Sequence, residues 1–216
     1  MYMIHATKSR MWYVNRYLTA QMRDQGLRAE QVIIWNDDTG RGNLASFVDS
    51  LKWLGKEHAE SLDVWHLQDD VILCEDFVER ASKDYKGVVC GFCSKHDDLY
   101  GEGYVTPDKM CWSFPCIRIP NKYSLEFVDW VESNPDGMKA FIEQNKNDDL
   151  LFKEFLMREH PDEKVLLLTP HLVDHVDYLI GGSVINRTRH ISTRAKYFTD
   201  TNLVDELEAR LKARGK

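Results

Sequence analysis

The chain has 216 residues, of which 43% are hydrophobic and 29% are charged, and its formal net charge is −7. This composition is typical of a globular protein with a sizeable core, and the acidic balance argues against a large nucleic-acid-binding surface. No apolar run approaches the roughly 20 residues that a membrane span needs. The N-terminal segment lacks the charged and apolar regions of a signal peptide, so we expect a cytoplasmic protein.

Short apolar runs alternate with helical periodicity through about the first hundred residues. Strands are predicted at Tyr2–Ala6, Gln31–Trp35, from Val64 onward and at Gly87–Ser94. Helices are predicted from Met11 to Met22, from Leu44 to Leu54 and from Phe77 onward, because apolar residues there recur every three or four positions. Such alternation of strand and helix is the pattern of an α/β fold with a parallel sheet.

The second half of the chain is less regular. Residues 95–120 contain glycines, prolines and scattered aromatics, which indicate loops with one strand around Cys111–Ile119. Two helices are expected, around Leu125–Val131 and from Asp148, and a last buried strand at Val165–Leu168. We therefore predict a single α/β domain with a mostly parallel central sheet flanked by helices.

The most informative stretch runs from Val64 to Leu73, where an apolar strand meets the adjacent carboxylates Asp69 and Asp70. Ligands of parallel sheets bind beyond the carboxyl ends of the strands. Two carboxylates at such a position suit Mg²⁺ or Mn²⁺, which take oxygen ligands and bridge to phosphates. The structural alternative is a plain turn, since Asp is a common turn residue.

Other polar residues are predicted near the same edge of the sheet. Asp37 and Asp38 follow the second strand, and His175 follows the last one. If that last strand is parallel to the others, His175 approaches Asp70, and imidazole is a common ligand of divalent metals. Asp149 lies at a helix start, where capping is the structural alternative to catalysis.

A basic strip without any acidic residue extends from Tyr178 to Thr199. It contains Arg187, Arg189 and Arg194, which indicate either a local anion site or a solvated surface segment.

The five cysteines are odd in number, and we expect free thiols. Cys90 and Cys93 have redox-pair spacing and, with Cys111 and Cys116, admit a zinc site, but buried strand cysteines are the favoured interpretation.

Two segments resemble a known family. Leu67-Gln68-Asp69-Asp70-Val71, with Phe77 after it, resembles the Leu-Glu-Asp-Asp signature of GT-A nucleotide-sugar glycosyltransferases. The likeness is strongest to the lipooligosaccharide-type and procollagen-type enzymes and to small phage-encoded relatives. Residues 170–175 with Gly181-Gly182-Ser183 resemble the Pro-Ser-Leu-x-x-His…Ser stretch of the same family. Gln68 departs from the pattern, because an acid is usual there, and its presence removes one charge.

The resemblance covers most of the chain and implies one GT-A-like domain. Residues 1–100 would form approximately the nucleotide-binding half, 101–200 the acceptor half, and 201–216 a terminal helix. The implied reaction moves a sugar from a nucleoside-diphosphate sugar, foremost a UDP-sugar, to an acceptor hydroxyl with the help of Mn²⁺ or Mg²⁺. The acceptor would be a saccharide or a hydroxylated DNA base, in the host cytoplasm if the protein is phage-encoded.

Roles carry over to matching positions. Metal binding falls to Asp69, Asp70 and His175, and deprotonation of the acceptor falls to Asp149. Donor-binding residues would be His5, Ala6, Thr7, Asp37 and Asp38, and the basic strip adds Arg187, Arg189 and Arg194 as partners of the diphosphate.

Two alternatives remain open at this point. A metal-dependent phosphohydrolase or nuclease would use the same clustered acids, whereas in a non-catalytic binding module the acids would only cap helices and turns.

Overall fold

The computed structural model describes residues 1–37, 42–58, 63–94, 103–110, 114–136, 148–182 and 194–214. Its strands are β1 (Tyr2–Thr7), β2 (Val32–Asp37), β3 (Asp63–Gln68), β4 (Val71–Leu73), β5 (Val89–Cys90), β6 (Gly103–Val105), β7 (Cys116–Pro120), β8 (Val165–Leu167) and β9 (Val173–His175). Its helices are α1 (Met11–Tyr13) and α2 (Thr19–Asp24), joined by a π-helical segment (Val14–Leu18), then α3 (Asn43–Glu57), α4 (Phe77–Ala81), α5 (Asn121–Ser133), α6 (Asp148–Glu159) and α7 (Thr201–Ala213).

The central sheet has seven strands in the order β2-β1-β3-β7-β5-β8-β6. Strands β1, β2, β3, β5 and β8 run in one direction, whereas β7 and β6 run antiparallel to their neighbours. The prediction of a single α/β domain with a mostly parallel sheet is therefore confirmed. A separate two-stranded sheet pairs β4 with β9.

Helices cover both faces of the central sheet. Successive side chains of a strand point to opposite faces, so Met3 and Ile4 on β1 enter different apolar layers. One layer packs against the N-terminal helical segments, α4 and α7, and the other packs against α3, α5 and α6. Burial of both faces explains why β1 and β3 are apolar over most of their length.

The predicted strand from Val64 to Leu73 is two strands. Strand β3 ends at Gln68. Asp69 and Asp70 then form a turn, after which the chain continues as β4 in the second sheet. There β4 pairs antiparallel with β9, and Val71 lies opposite His175. The predicted last strand, found as β8, does run parallel to β5, and His175 and Asp70 do come together. What brings them into contact, however, is the additional strand β9 and its antiparallel pairing with β4.

Other differences are local. The predicted strand Gly87–Ser94 is regular only over Val89–Cys90, and the strand expected around Cys111–Ile119 is found at Cys116–Pro120. Cys93 is disulfide-bonded, so the expectation of free thiols is wrong there, whereas Cys74, Cys90 and Cys116 form no disulfide. Among the described helices, none has the length and apolar character needed to cross a membrane.

Candidate functional site

The carboxyl ends of β1, β2 and β3 open onto a cleft of about 860 Å³. Seven residues that the sequence assigns to metal or donor binding line it: His5, Ala6, Thr7, Asp37, Asp69, Asp70 and His175. Asp149 and Arg194 are not among the lining residues, and Asp38, Arg187 and Arg189 lie outside the described residues. Strand ends far apart in the chain therefore converge at one place, as the parallel-strand argument predicts.

Asp69 is held entirely by the end of β1 and the turn after it. Its Oδ2 accepts hydrogen bonds from the Thr7 backbone N–H, at 2.7 Å, and from the Thr7 hydroxyl, at 2.9 Å. Its Oδ1 accepts from Arg10 Nη1 at 2.8 Å. Both oxygens are thus used within the protein, and Asp69 ties the end of β3 to the end of β1.

Arg10 is a buried residue of the cleft that sequence reasoning missed. It is 5% exposed and forms ion pairs with both Asp69 and Asp70. Its Nη2 donates to the Gly182 carbonyl oxygen at 2.5 Å. The available signal was a basic residue just after the first strand, on the edge that collects the acids.

Asp70 meets His175 on its other side. Asp70 Oδ1 and His175 Nε2 lie 3.0 Å apart, yet both are shielded from solvent and neither makes a well-directed hydrogen bond. Burial acts to raise the pKa of Asp70, but His175 and Arg10 outweigh it and lower that pKa to about 2. Burial acts to lower the pKa of His175, and the carboxylate of Asp70 reverses this and raises it.

This pair of buried atoms has the geometry of two metal ligands. Ligands at adjacent corners of an octahedron with bonds of about 2.1 Å are roughly 3.0 Å apart. Among the described residues no group of three or more His, Cys, Asp or Glu side chains is arranged to hold an ion. Two protein ligands are compatible with Mg²⁺ or Mn²⁺, which complete their coordination with water and substrate phosphates. Asp70 and His175 fit such an ion, whereas Asp69 is engaged elsewhere.

Asp148 and Asp149 begin α6 on another side of the cleft. Asp148 lines the cleft, while Asp149 is 8% exposed and accepts a hydrogen bond from the Leu150 backbone N–H at 2.8 Å. Burial raises the pKa of both carboxyls, and repulsion from Asp148 raises that of Asp149 further. A carboxyl with a raised pKa is suited to general-base chemistry near neutral pH. The assignment of that role to Asp149 stays a prediction.

Arg194 has partners other than the predicted diphosphate. Its Nε donates to Asp174 Oδ2 at 2.7 Å, and its Nη1 donates to the Tyr178 hydroxyl at 2.9 Å. The backbone N–H of Ala195 donates to the same Asp174 carboxylate. These bonds fasten the later part of the basic strip to β9, because a buried carboxylate such as Asp174 needs a charged partner.

Two histidines line the floor of the cleft. His5 Nε2 and His66 Nδ1 lie 2.9 Å apart, and the ring of Phe47 packs 5.5 Å from each imidazole. Sequence reasoning named His5 but not His66, which is hidden within the apolar run of β3.

Comparison with known proteins yields little. No protein-family model matches the chain, and no curated protein matches it. Among solved structures it is similar to the inositol-1-phosphate CTP transferase from T. maritima, with 10% sequence identity and a TM-score of 0.41. That similarity covers 98% of this chain and 95% of the other. At this TM-score the likeness carries no argument about function.

The pairing of Arg10 with two buried acids predicts a large effect of its removal. Arg10→Met keeps much of the side-chain volume but leaves Asp69 and Asp70 without their counter-charge, so we expect a loss of roughly 3–5 kcal/mol in unfolding free energy. Urea denaturation measures this loss. As a control, Glu208→Gln breaks an exposed pair with Lys212 on α7 and should cost less than about 1 kcal/mol. An equally small loss in Arg10→Met would contradict the structural role.

The raised pKa of Asp149 predicts a pH dependence of stability. The folded chain holds this proton more tightly than the unfolded chain does, so stability falls as pH rises above the ordinary Asp value near 4. Asp149→Asn cannot ionise, and we expect a smaller loss of unfolding free energy between about pH 5 and about pH 8. Urea denaturation at both pH values compares it with Asp24→Asn, a change at an exposed carboxylate. An identical pH profile in wild type and Asp149→Asn would refute the assignment.

Proposed function

We propose that this protein is a metal-dependent glycosyltransferase that moves a sugar from a nucleoside-diphosphate sugar to an acceptor hydroxyl. The observation that carries the proposal is the buried ion pair between Asp70 Oδ1 and His175 Nε2, which lie 3.0 Å apart at the cleft without a well-directed hydrogen bond. Buried polar atoms normally make hydrogen bonds, so two that meet only as an ion pair have capacity for a further ligand. The family resemblance of the segments around Asp70 and His175 agrees with this assignment.

A divalent cation on Asp70 and His175 would neutralise the charge that develops on the departing nucleoside diphosphate. The neighbouring residues position this pair. Arg10 binds Asp70 Oδ2 and so leaves Oδ1 toward His175, while Asp69 fixes the turn through Thr7. Gln68, which replaces the usual acid, lines the cleft without adding charge. Asp70 and His175 are therefore the ligands that we propose, with Asp69 as their support.

The donor would lie between the metal ligands and the end of β2. His5, Ala6, Thr7 and Asp37 line the cleft together with the metal ligands, and such a group of polar side chains at strand ends suits a nucleotide. We keep these residues as donor contacts, with a UDP-sugar as the first donor to test. Contacts from Asp38, Arg187 and Arg189 remain predictions outside the described residues.

The acceptor hydroxyl needs a carboxylate within hydrogen-bond reach as its general base. Asp149 is the candidate from the family resemblance, but Asp148 is the one of the pair that lines the cleft. We propose that this pair supplies the base, and that the acceptor is a saccharide or a hydroxylated DNA base.

No observation favours the two alternative functions. A metal-dependent phosphohydrolase or nuclease would use the same clustered acids, but the segments around Asp70 and His175 resemble those of sugar-transferring enzymes. A non-catalytic binding module has no need of an acid with a raised pKa at the cleft, such as Asp148, and turnover is the measurement that decides between the two.

The metal proposal predicts that UDP and Mn²⁺ together raise the melting temperature, and that a substitution of Asp70 removes this rise. Wild-type protein should melt at a higher temperature with UDP plus Mn²⁺ than with either alone, because ligands of the native state raise its stability. Asp70→Asn keeps the shape but weakens the metal ligand, so we expect the combined increase to disappear. His175→Gln should reduce it less, because a neutral ligand is lost. Glu208→Gln, which is not among the cleft-lining residues, is the control, and an undiminished increase in Asp70→Asn would remove that residue from the metal site.

The base proposal predicts a loss of turnover without a loss of donor binding. Substituting the base by Asn should lower turnover on the order of 10²–10⁴-fold, because proton transfer in the transition state is removed. Release of nucleoside diphosphate from nucleotide sugars is measured with saccharide and hydroxymethylated DNA acceptors. If only Asp148→Asn is impaired, the base is Asp148 and the assignment to Asp149 is wrong. Near-normal turnover in both variants would exclude the pair.

A further inference from the structure

His5, one of the proposed donor contacts, forms a pair with His66, a residue to which the proposed function gives no role. They lie on the neighbouring strands β1 and β3, and their rings stack with centroids 5.2 Å apart. His5 Nε2 and His66 Nδ1, at 2.9 Å, share one hydrogen bond. Both residues line the cleft, and His66 is only 2% exposed.

The two rings are neutral near physiological pH. Burial lowers the pKa of His5 to about 4 and lowers that of His66 well below its usual value. Each neutral imidazole carries one N–H and one lone pair. The shared hydrogen bond therefore couples the two tautomers, since only one of the two facing nitrogens carries a proton.

The outer nitrogens decide which tautomer is favoured. His66 Nε2 is buried without a hydrogen-bond partner, and His5 Nδ1 makes none within the described part of the chain. A proton on His5 Nε2 would force His66 to carry a buried, orphaned N–H, whereas a proton on His66 Nδ1 leaves only a lone pair there. Orphaned buried N–H groups are the rarer case in proteins. His66 Nδ1 is then the shared donor, and His5 carries its own proton on Nδ1.

We propose that the His5–His66 pair is a fixed hydrogen-bond donor that reads a carbonyl oxygen of the nucleobase and so favours uracil and guanine over cytosine and adenine. This inference rests on the proposed function, because it places a nucleotide in the cleft. An uncharged N–H beside the Phe47 ring suits a flat, neutral ring better than a phosphate. The two disfavoured bases carry an amino group where the favoured ones carry a carbonyl, which would set two donors against each other.

The hydrogen bond to His66 fixes the tautomer of His5. A lone histidine can exchange its tautomer to accept a hydrogen bond from an amino group. His5 can do so only if His66 takes the buried, orphaned N–H, so the penalty against the wrong base is retained. His66 is in this sense a specificity-positioning residue that acts through His5.

The first test is independent of any nucleotide. Two-bond ¹H–¹⁵N correlation spectra of the ligand-free protein assign histidine tautomers directly. We expect both rings to carry the proton on Nδ1 and to remain neutral between about pH 6 and about pH 8. A proton on His66 Nε2 would overturn the proposal.

The second test measures base preference. Calorimetric titration with UDP, GDP, CDP and ADP, each with Mn²⁺, compares wild type, His66→Phe and His66→Asn. We expect wild type to bind UDP and GDP at least about tenfold more tightly than CDP and ADP. His66→Phe retains an aromatic ring but loses the donor, so its preference should vanish. His66→Asn can place an amide N–H at the former Nδ1 position and should keep it.

The outcomes separate the two proposals. Wild-type binding of all four nucleotides without preference, or an unchanged preference in His66→Phe, overturns the base reader alone. Failure of wild type to bind any of them overturns the base reader together with the proposed function.

Discussion

The buried guanidinium of Arg10, between Asp69 and Asp70, is the interaction on which the site depends. Two adjacent carboxylates at a turn with little exposure to water repel each other and lose hydration, and such charges persist only when they are paired. Arg10 supplies that charge, and through Gly182 it also holds the chain at the start of the basic strip. One side chain thus joins the end of β1, the turn after β3 and the segment after β9.

In this arrangement Asp69 and Asp70 have different roles. Both carboxylate oxygens of Asp69 accept hydrogen bonds, from Thr7 and Arg10, so this residue sets the position of the turn. In Asp70, Oδ2 accepts a hydrogen bond from Arg10, whereas Oδ1 faces His175. The sequence alone does not distinguish Asp69 from Asp70. Their hydrogen bonds do, because they make Asp69 a structural support and leave Asp70 as the candidate metal ligand.

The case for function rests on this chemistry, because a fold of this class hosts many activities. Comparison with known proteins adds no family, and the likeness to the CTP transferase is too weak to argue from. The buried Asp70–His175 ion pair, Asp148 with its raised pKa, and the neutral His5–His66 pair all line one cleft. Perturbed ionisable groups that gather in a cleft are a sound physical reason to expect catalysis there.

Much of the fold and half of the site were readable from the sequence. Alternating apolar runs predicted β1, β2 and β3 and the amphipathic helices α3, α5 and α7, because these patterns depend on neighbours within a few residues. The rule that parallel strands end at one edge correctly gathered Thr7, Asp37 and Asp70 at the cleft.

The tertiary structure alone decided the rest. The antiparallel pairing of β4 with β9, which sets His175 against Asp70, joins segments about a hundred residues apart. Arg10 and His66 gain their roles from contacts with residues about sixty positions away in the chain. Neither residue type by itself predicts such a partner. The order of Asp148 and Asp149 at the cleft depends on how α6 packs on the sheet. Local pattern determines where elements form, but partners brought together by folding determine which side chains are buried, paired or left for a ligand.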